Sequence, residues 1–188
     1  AEARLSAMLS ATRGIAVENQ TYALLHHQPD AKGNGNCWVA VMTYDAANNR
    51  FVRAEDISAL MLPDGWGFGQ ADAPYVQSGG NGSSFGGIGS KADLNDFATF
   101  NIIFNSDGMV VTSVNGQAPT LHTGDAIFTG GSKLWSPTLT DLNEEGVNAV
   151  VPIEYRRLNI LDSGWNDQLS ATGYFVVLNR YTGQIMPA

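Results

Sequence analysis

The chain has 188 residues, enough for one domain with a sizeable core. Hydrophobic residues make up 44% and charged residues 15%, a balance that excludes a disordered chain. The net charge of −8, with ten basic residues spread along the chain, argues against nucleic acid as a partner, because binding phosphates needs clustered Lys and Arg. Twenty-one glycines at so low a charge content point to a β-rich protein with many turns. No run of about 18 apolar residues is present to span a membrane, and no signal-peptide core precedes the first element.

The segment from Ala1 to about Gln20 reads as a helix. Leu5, Met8, Leu9, Thr12, Ile15 and Ala16 recur at helical spacing and define one apolar face. Alanine is frequent and proline absent, although Gly14 weakens the interior by about 1 kcal/mol relative to alanine. Ala1 offers no side-chain cap, so the helix is expected to have continued upstream. Thr21 to His27 fits either a strand or the last turns of that helix, and Gln28 to Asn36 reads as a loop.

Cys37 to Tyr44 is rich in β-branched and aromatic residues and reads as a strand. The polar run Asp45 to Asn49 is a turn, and Arg50 to Ala54 the returning strand. Ile57 to Leu62 is a further strand. Pro63 to Asn95 reads as the least structured region and holds a glycine-rich loop, Gly79 to Gly89. Phe100 to Phe104 and Met109 to Thr112 flank Asn105-Ser106-Asp107-Gly108, a hairpin signal. Leu121 with Ala126 to Thr129, Val147 to Ile153, and Arg157 to Leu161 are further strands. Gly173 to Leu178 and Gln184 to Met186 close the chain as a hairpin around Gly183. Helices do not alternate with strands, so a parallel doubly wound sheet is excluded. The expectation is an α+β fold, with the N-terminal amphipathic helix packed on antiparallel sheet.

Chemistry-bearing motifs are sparse. Cys37, the one cysteine, cannot form an internal disulfide and reads as a small buried hydrophobe. His26 and His27 are adjacent, and neighbours on a strand face opposite ways, so they do not share a metal. His122 stands alone, and no G-x-S-x-G elbow supports a hydrolase. Asp141, Asn143 and Glu145, with Gly146 following, imitate the start of a calcium loop. Pro152 occupies the position of the closing glutamate, so calcium is the only cofactor the residues leave open and an acidic turn is the plainer reading. The glycine stretch lacks a phosphate loop's Gly-Lys-Ser/Thr ending; Gly79, Asn81, Phe85 and Ile88 mark it as a partner-binding loop or an exposed connection. Trp66 and Trp165, each amid turn residues, are the best exposed candidates among Trp38, Trp66, Trp135, Trp165, Tyr75 and Tyr155 for a glycan platform, against the commoner role of aromatics in a core.

Three stretches resemble the type IV pilin-like family, and within it the GspH/FimT type of minor pseudopilin or minor pilin. They are the helix Arg4 to Arg13 followed by Ala16-Val17-Glu18-Asn19, the turn Phe104-Asn105-Ser106-Asp107-Gly108, and the closing run Val176 to Ile185. Gln184 stands where that pattern has a basic residue, and the glycine insertion is longer than the family's. The resemblance implies a single pilin-like head over residues 1–188. Residues 1–20 would be the C-terminal half of the pilin helix, with Leu5, Met8, Leu9, Ile15 and Ala16 as its seam, and 21–188 the β-rich part. It further implies a non-catalytic subunit of a type II secretion pseudopilus or a type IV pilus. Such a subunit is anchored in the bacterial inner membrane by an upstream helix, its head in the periplasm or a surface filament, and its partners are other pilin-like subunits. A secreted β-sandwich that binds a ligand or glycan is the alternative reading.

Overall fold

A computed structural model describes residues 1–29, 36–70, 98–111, 113–116, 120–121, 149–153, 176–179, 181–182 and 184–186. One helix, α1 (Glu2–Glu18), is followed among the described residues by ten strands: β1 (Ala23–Pro29), β2 (Cys37–Asp45), β3 (Arg50–Arg53), β4 (Leu60–Met61), β5 (Gly67–Gln70), β6 (Phe100–Phe104), β7 (Val110–Val111), β8 (Thr120–Leu121), β9 (Ala149–Ile153) and β10 (Val176–Val177). A seven-stranded sheet runs β7-β6-β1-β2-β3-β8, with β4 also paired to β2; a three-stranded sheet runs β10-β9-β5. Among the described residues every pairing is antiparallel except β3 with β8, which is parallel. The fold is therefore α+β, one helix on a largely antiparallel sheet.

The helix lies over β1, β2 and β6. Leu5, Met8, Leu9, Thr12 and Ala16 are buried and Ile15 is half-buried against the same core. Burying Leu5 and Leu9 stabilises the fold by about 1.5–3 kcal/mol each. Thr12, the polar member of this face, turns its hydroxyl to the Met8 carbonyl at 2.7 Å, so nothing polar is left unpaired there. The helix stops at Glu18; Gln20 has a positive φ of 49°, and the chain turns into β1.

β1 is the centre of the molecule. It pairs with β2 from Ala23 to Pro29 and with β6 from Ala23 to His27, and all seven of its residues are buried. Ala23, Leu25 and His27 face the helix, whereas Leu24 and His26 face the other way. On that opposite face Leu24, Met42, Phe51, Ile103 and Val114 form a second buried cluster. A strand covered on both faces shows no alternation of apolar and polar residues, which is why Thr21 to His27 reads ambiguously as sequence.

Several expectations are corrected. Gln28 and Pro29 belong to β1 rather than to a loop. Proline is tolerated because Pro29 lies beyond the residues that pair with β6 and ends the strand. The strand expected at Ile57 to Leu62 is only Leu60–Met61. Within the region expected to be the least structured, Gly67–Gln70 forms β5. Leu121 sits in β8, which pairs parallel with β3. The expected strand at Arg157 to Leu161 and the partner at Ala126 to Thr129 lie outside the described residues.

The two hairpins built on side-chain turns form as their residues suggest. Asn105 accepts at Oδ1 from the amides of Asp107 and Met109, at 3.1 and 2.9 Å, and Gly108 takes a φ of +75°. Asn179 likewise accepts from the amides of Tyr181 and Thr182, and Leu178 pairs with Ile185.

Candidate functional site: the two faces of the helix

The helix is held at both ends. Arg4 donates from Nη1 to the Met61 carbonyl of β4 at 2.9 Å, and Arg13 donates from Nε to the Gly108 carbonyl of the β6–β7 turn at 3.0 Å. Gly108 must be glycine twice over. Its φ is positive, and a Cβ there would meet Arg13 Nε at 2.7 Å and Val17 Cγ2 at 3.1 Å. The Asp-Gly turn therefore serves the helix as well as the hairpin, since its glycine lets the chain pass close beneath Arg13.

The outer face is unlike the inner one in size more than in polarity. Ala3, Ala7, Ser10, Gly14 and Val17 are all exposed and recur at intervals of four, three, four and three residues. That is the spacing of a stripe along one side of a helix. A Cβ at Gly14 would meet nothing within 4 Å. Leu5, Met8 and Leu9 thus point inward, and Ala3, Ala7, Ser10 and Gly14 outward, a pattern that lets another helix approach closely. The inner stripe was legible from the spacing of its large residues. The outer one shows in the sequence only as an interval pattern, because small residues carry little hydrophobic signal.

His26 and His27 are both fully buried, so neither is a solvated surface histidine. His27 stacks on Phe100 with ring centroids 4.8 Å apart. Its Nδ1 donates to the Ala98 carbonyl at 2.6 Å, and its Nε2 accepts the Phe68 amide proton at 3.1 Å. Burial pushes its pKa down to about 3. On the other face, the ring nitrogens of His26 lie 2.8 Å from the Asn101 side-chain amide and 3.0 Å from that of Gln28, and burial lowers this pKa as well. Both rings are neutral structural groups, engaged at both nitrogens. Cys37 is buried beside Gly67.

Among the described residues no three His, Cys, Asp or Glu side chains are placed to hold a metal ion. The calcium candidates Asp141, Asn143 and Glu145 lie outside the described residues, as do His122 and the loop residues Gly79, Asn81, Phe85 and Ile88. So do Trp135, Trp165, Tyr75 and Tyr155, while Trp38 is half-buried and Trp66 is 42% exposed. A groove of about 870 Å³ opens beside the C-terminal end of α1, lined in part by Ile15, Thr43, Val52 and Ile57. No protein-family model, curated protein or solved structure matches this chain.

Proposed function

We propose that the protein is a non-catalytic structural subunit that assembles through the outer face of α1. In particular, we read it as the head of a minor pseudopilin or minor pilin. Its helix would continue upstream into an apolar anchor in the inner membrane, and the head would act in a type II secretion pseudopilus or a type IV pilus. The supporting observation is the division of labour on one helix: Leu5, Met8 and Leu9 are spent on the sheet, while Ala3, Ala7, Ser10 and Gly14 remain exposed at close-packing intervals. The order of helix, central antiparallel sheet and closing hairpin accords with the resemblance drawn from Arg4–Arg13, Phe104–Gly108 and Val176–Ile185.

The test is site-specific crosslinking in the source organism. A photoreactive residue placed at Ala7 of the full gene product should capture a second pilin-like subunit, and one placed at Ala47, on the exposed β2–β3 turn, should not. Capture of nothing at Ala7, together with unchanged secretion and piliation in a deletion strain, would overturn the reading. The exposed indole of Trp66 favours a second reading, a ligand- or glycan-binding module. Binding on a glycan array that is lost in Trp66→Ala would select it instead.

A further inference from the structure

We propose that the groove beside the last turn of α1 docks a peptide segment of a protein partner in which a lysine or arginine adjoins an aliphatic side chain. The groove holds about 870 Å³, room for several side chains and far more than a single ion needs. Its floor is aliphatic. Ile15 from the helix, Val52 from β3 and Ile57 beyond β3 are each half-buried; Ile15 and Ile57 rest on the core and line the groove with their remaining surface. Thr43 and Val52 are register partners on β2 and β3, so this floor is an extension of the helix-facing side of the sheet.

The rim has the opposite character. Glu18, Glu55 and Asp56 are exposed around the opening, against Arg53 as the one basic residue among the described residues of the lining. The helix adds to the imbalance. Its last turn carries no basic residue, and Glu18 sits there, at the negative end of the helix dipole. A carboxylate at that end is unfavourable until a cation comes to it. The glutamate, the helix end and the two β3–β4 loop carboxylates thus sum at one mouth, above an apolar floor. A basic and aliphatic peptide answers both features. A phospholipid surface or a nucleic acid would bring phosphates to this rim and be repelled. The assignment does not depend on which assembly the chain joins.

Selection of random-sequence peptides displayed on phage against the purified protein, followed by anisotropy titration of the enriched sequences, tests this directly. The enriched peptides should carry Lys or Arg next to Leu, Ile or Val. The double variant E18K/D56K should weaken their binding roughly tenfold, and half-molar salt should weaken it further. Both substituted side chains are exposed, so the fold is retained. A second variant, Ile57→Ser, leaves the rim charges intact and should weaken the same peptides through the floor. The proposal is overturned if no sequence is enriched, if the enriched peptides lack basic residues, or if E18K/D56K binds them with unchanged affinity.

Discussion

His27 of β1 receives the Phe68 amide proton of β5 at 3.1 Å, and this bond joins the seven-stranded sheet to the three-stranded one. Phe68 stands opposite Pro152 in β9, which has no N–H to offer across the pair, and the Phe68 N–H is directed to the His27 ring. With Nδ1 committed as donor to Ala98, His27 has only Nε2 left to accept, and the neutral ring does both. A protonated ring would set a second donor against the Phe68 amide.

The pH dependence follows. Burial lowers the His27 pKa from 6.5 to about 3, so between those values the unfolded chain holds a proton that the folded one does not. Stability therefore rises with pH across that window, by about 1.4 kcal/mol per pH unit for one such group, and levels off above it. His26, also lowered by burial, adds in the same direction. Urea unfolding at pH 5 and pH 7.5 should give a clearly lower midpoint at pH 5. His27→Gln should reduce that difference, and an unchanged midpoint in the parent protein would contradict the account.

The two faces of α1 make opposite demands on substitution. Leu9 is 1% exposed in the core, so Leu9→Ala should lower stability by about 2–5 kcal/mol, and Leu9→Asp should abolish folding. Gly14 faces open space in the helix interior, so Gly14→Ala should raise stability by about 0.5–1 kcal/mol. Thermal melts of the three variants check both signs. A destabilised Gly14→Ala would mean that the outer face is covered within the monomer.

How much of this was legible in the sequence depended on whether a residue's role was local. The helix seam, the β2–β3 hairpin and the Asp-Gly turn could be read because periodicity and turn chemistry act over a few residues. β5 could not, since Gly67-Phe68-Gly69 looks like loop; Gly67 is there because the chain passes against Cys37 and His27, which lie 30 and 40 positions earlier. Pairing of His27 with Phe68 and of Arg13 with Gly108 is likewise set by the fold, and no local pattern announces either. The outer stripe of α1 was local, yet its residues are too small to weigh in an apolar count.

Arg13 and Gly108 can be tested as a pair. Gly108→Ala adds a Cβ at a positive φ and into contact with Arg13, and should cost about 1–2 kcal/mol or more. Arg13→Ala loses a hydrogen bond worth about 1 kcal/mol but clears much of that contact. The double variant should therefore be more stable than the sum of the single losses allows, with the residual loss reporting the missing Arg13 bond, the backbone strain and the remaining Val17 contact. Simple additivity in denaturant titrations would show that the helix does not press on this turn.

Gly67 and Cys37 form the second close approach, and here the backbone is not strained, so only space is at issue. A Cβ on Gly67 would run into Cys37 Sγ, lie 3.2 Å from Cys37 Cβ, and stand 3.6 Å from His27 Cε1. The His27 contact is ordinary and the Cβ contact tight, but the sulfur must move, and Cys37 is fully buried. Gly67→Ala should thus destabilise by about 1–3 kcal/mol. Cys37→Ala removes only the sulfur, at the modest loss expected for one buried heavy atom, and leaves the space that the new methyl needs. In the double variant most of the Gly67→Ala penalty should vanish, a coupling of about 1 kcal/mol or more between residues 30 positions apart. Rescue of this kind would place β5 against the start of β2 in solution. Equal penalties in the two backgrounds would show that the three-stranded sheet does not sit where His27 and Cys37 hold it.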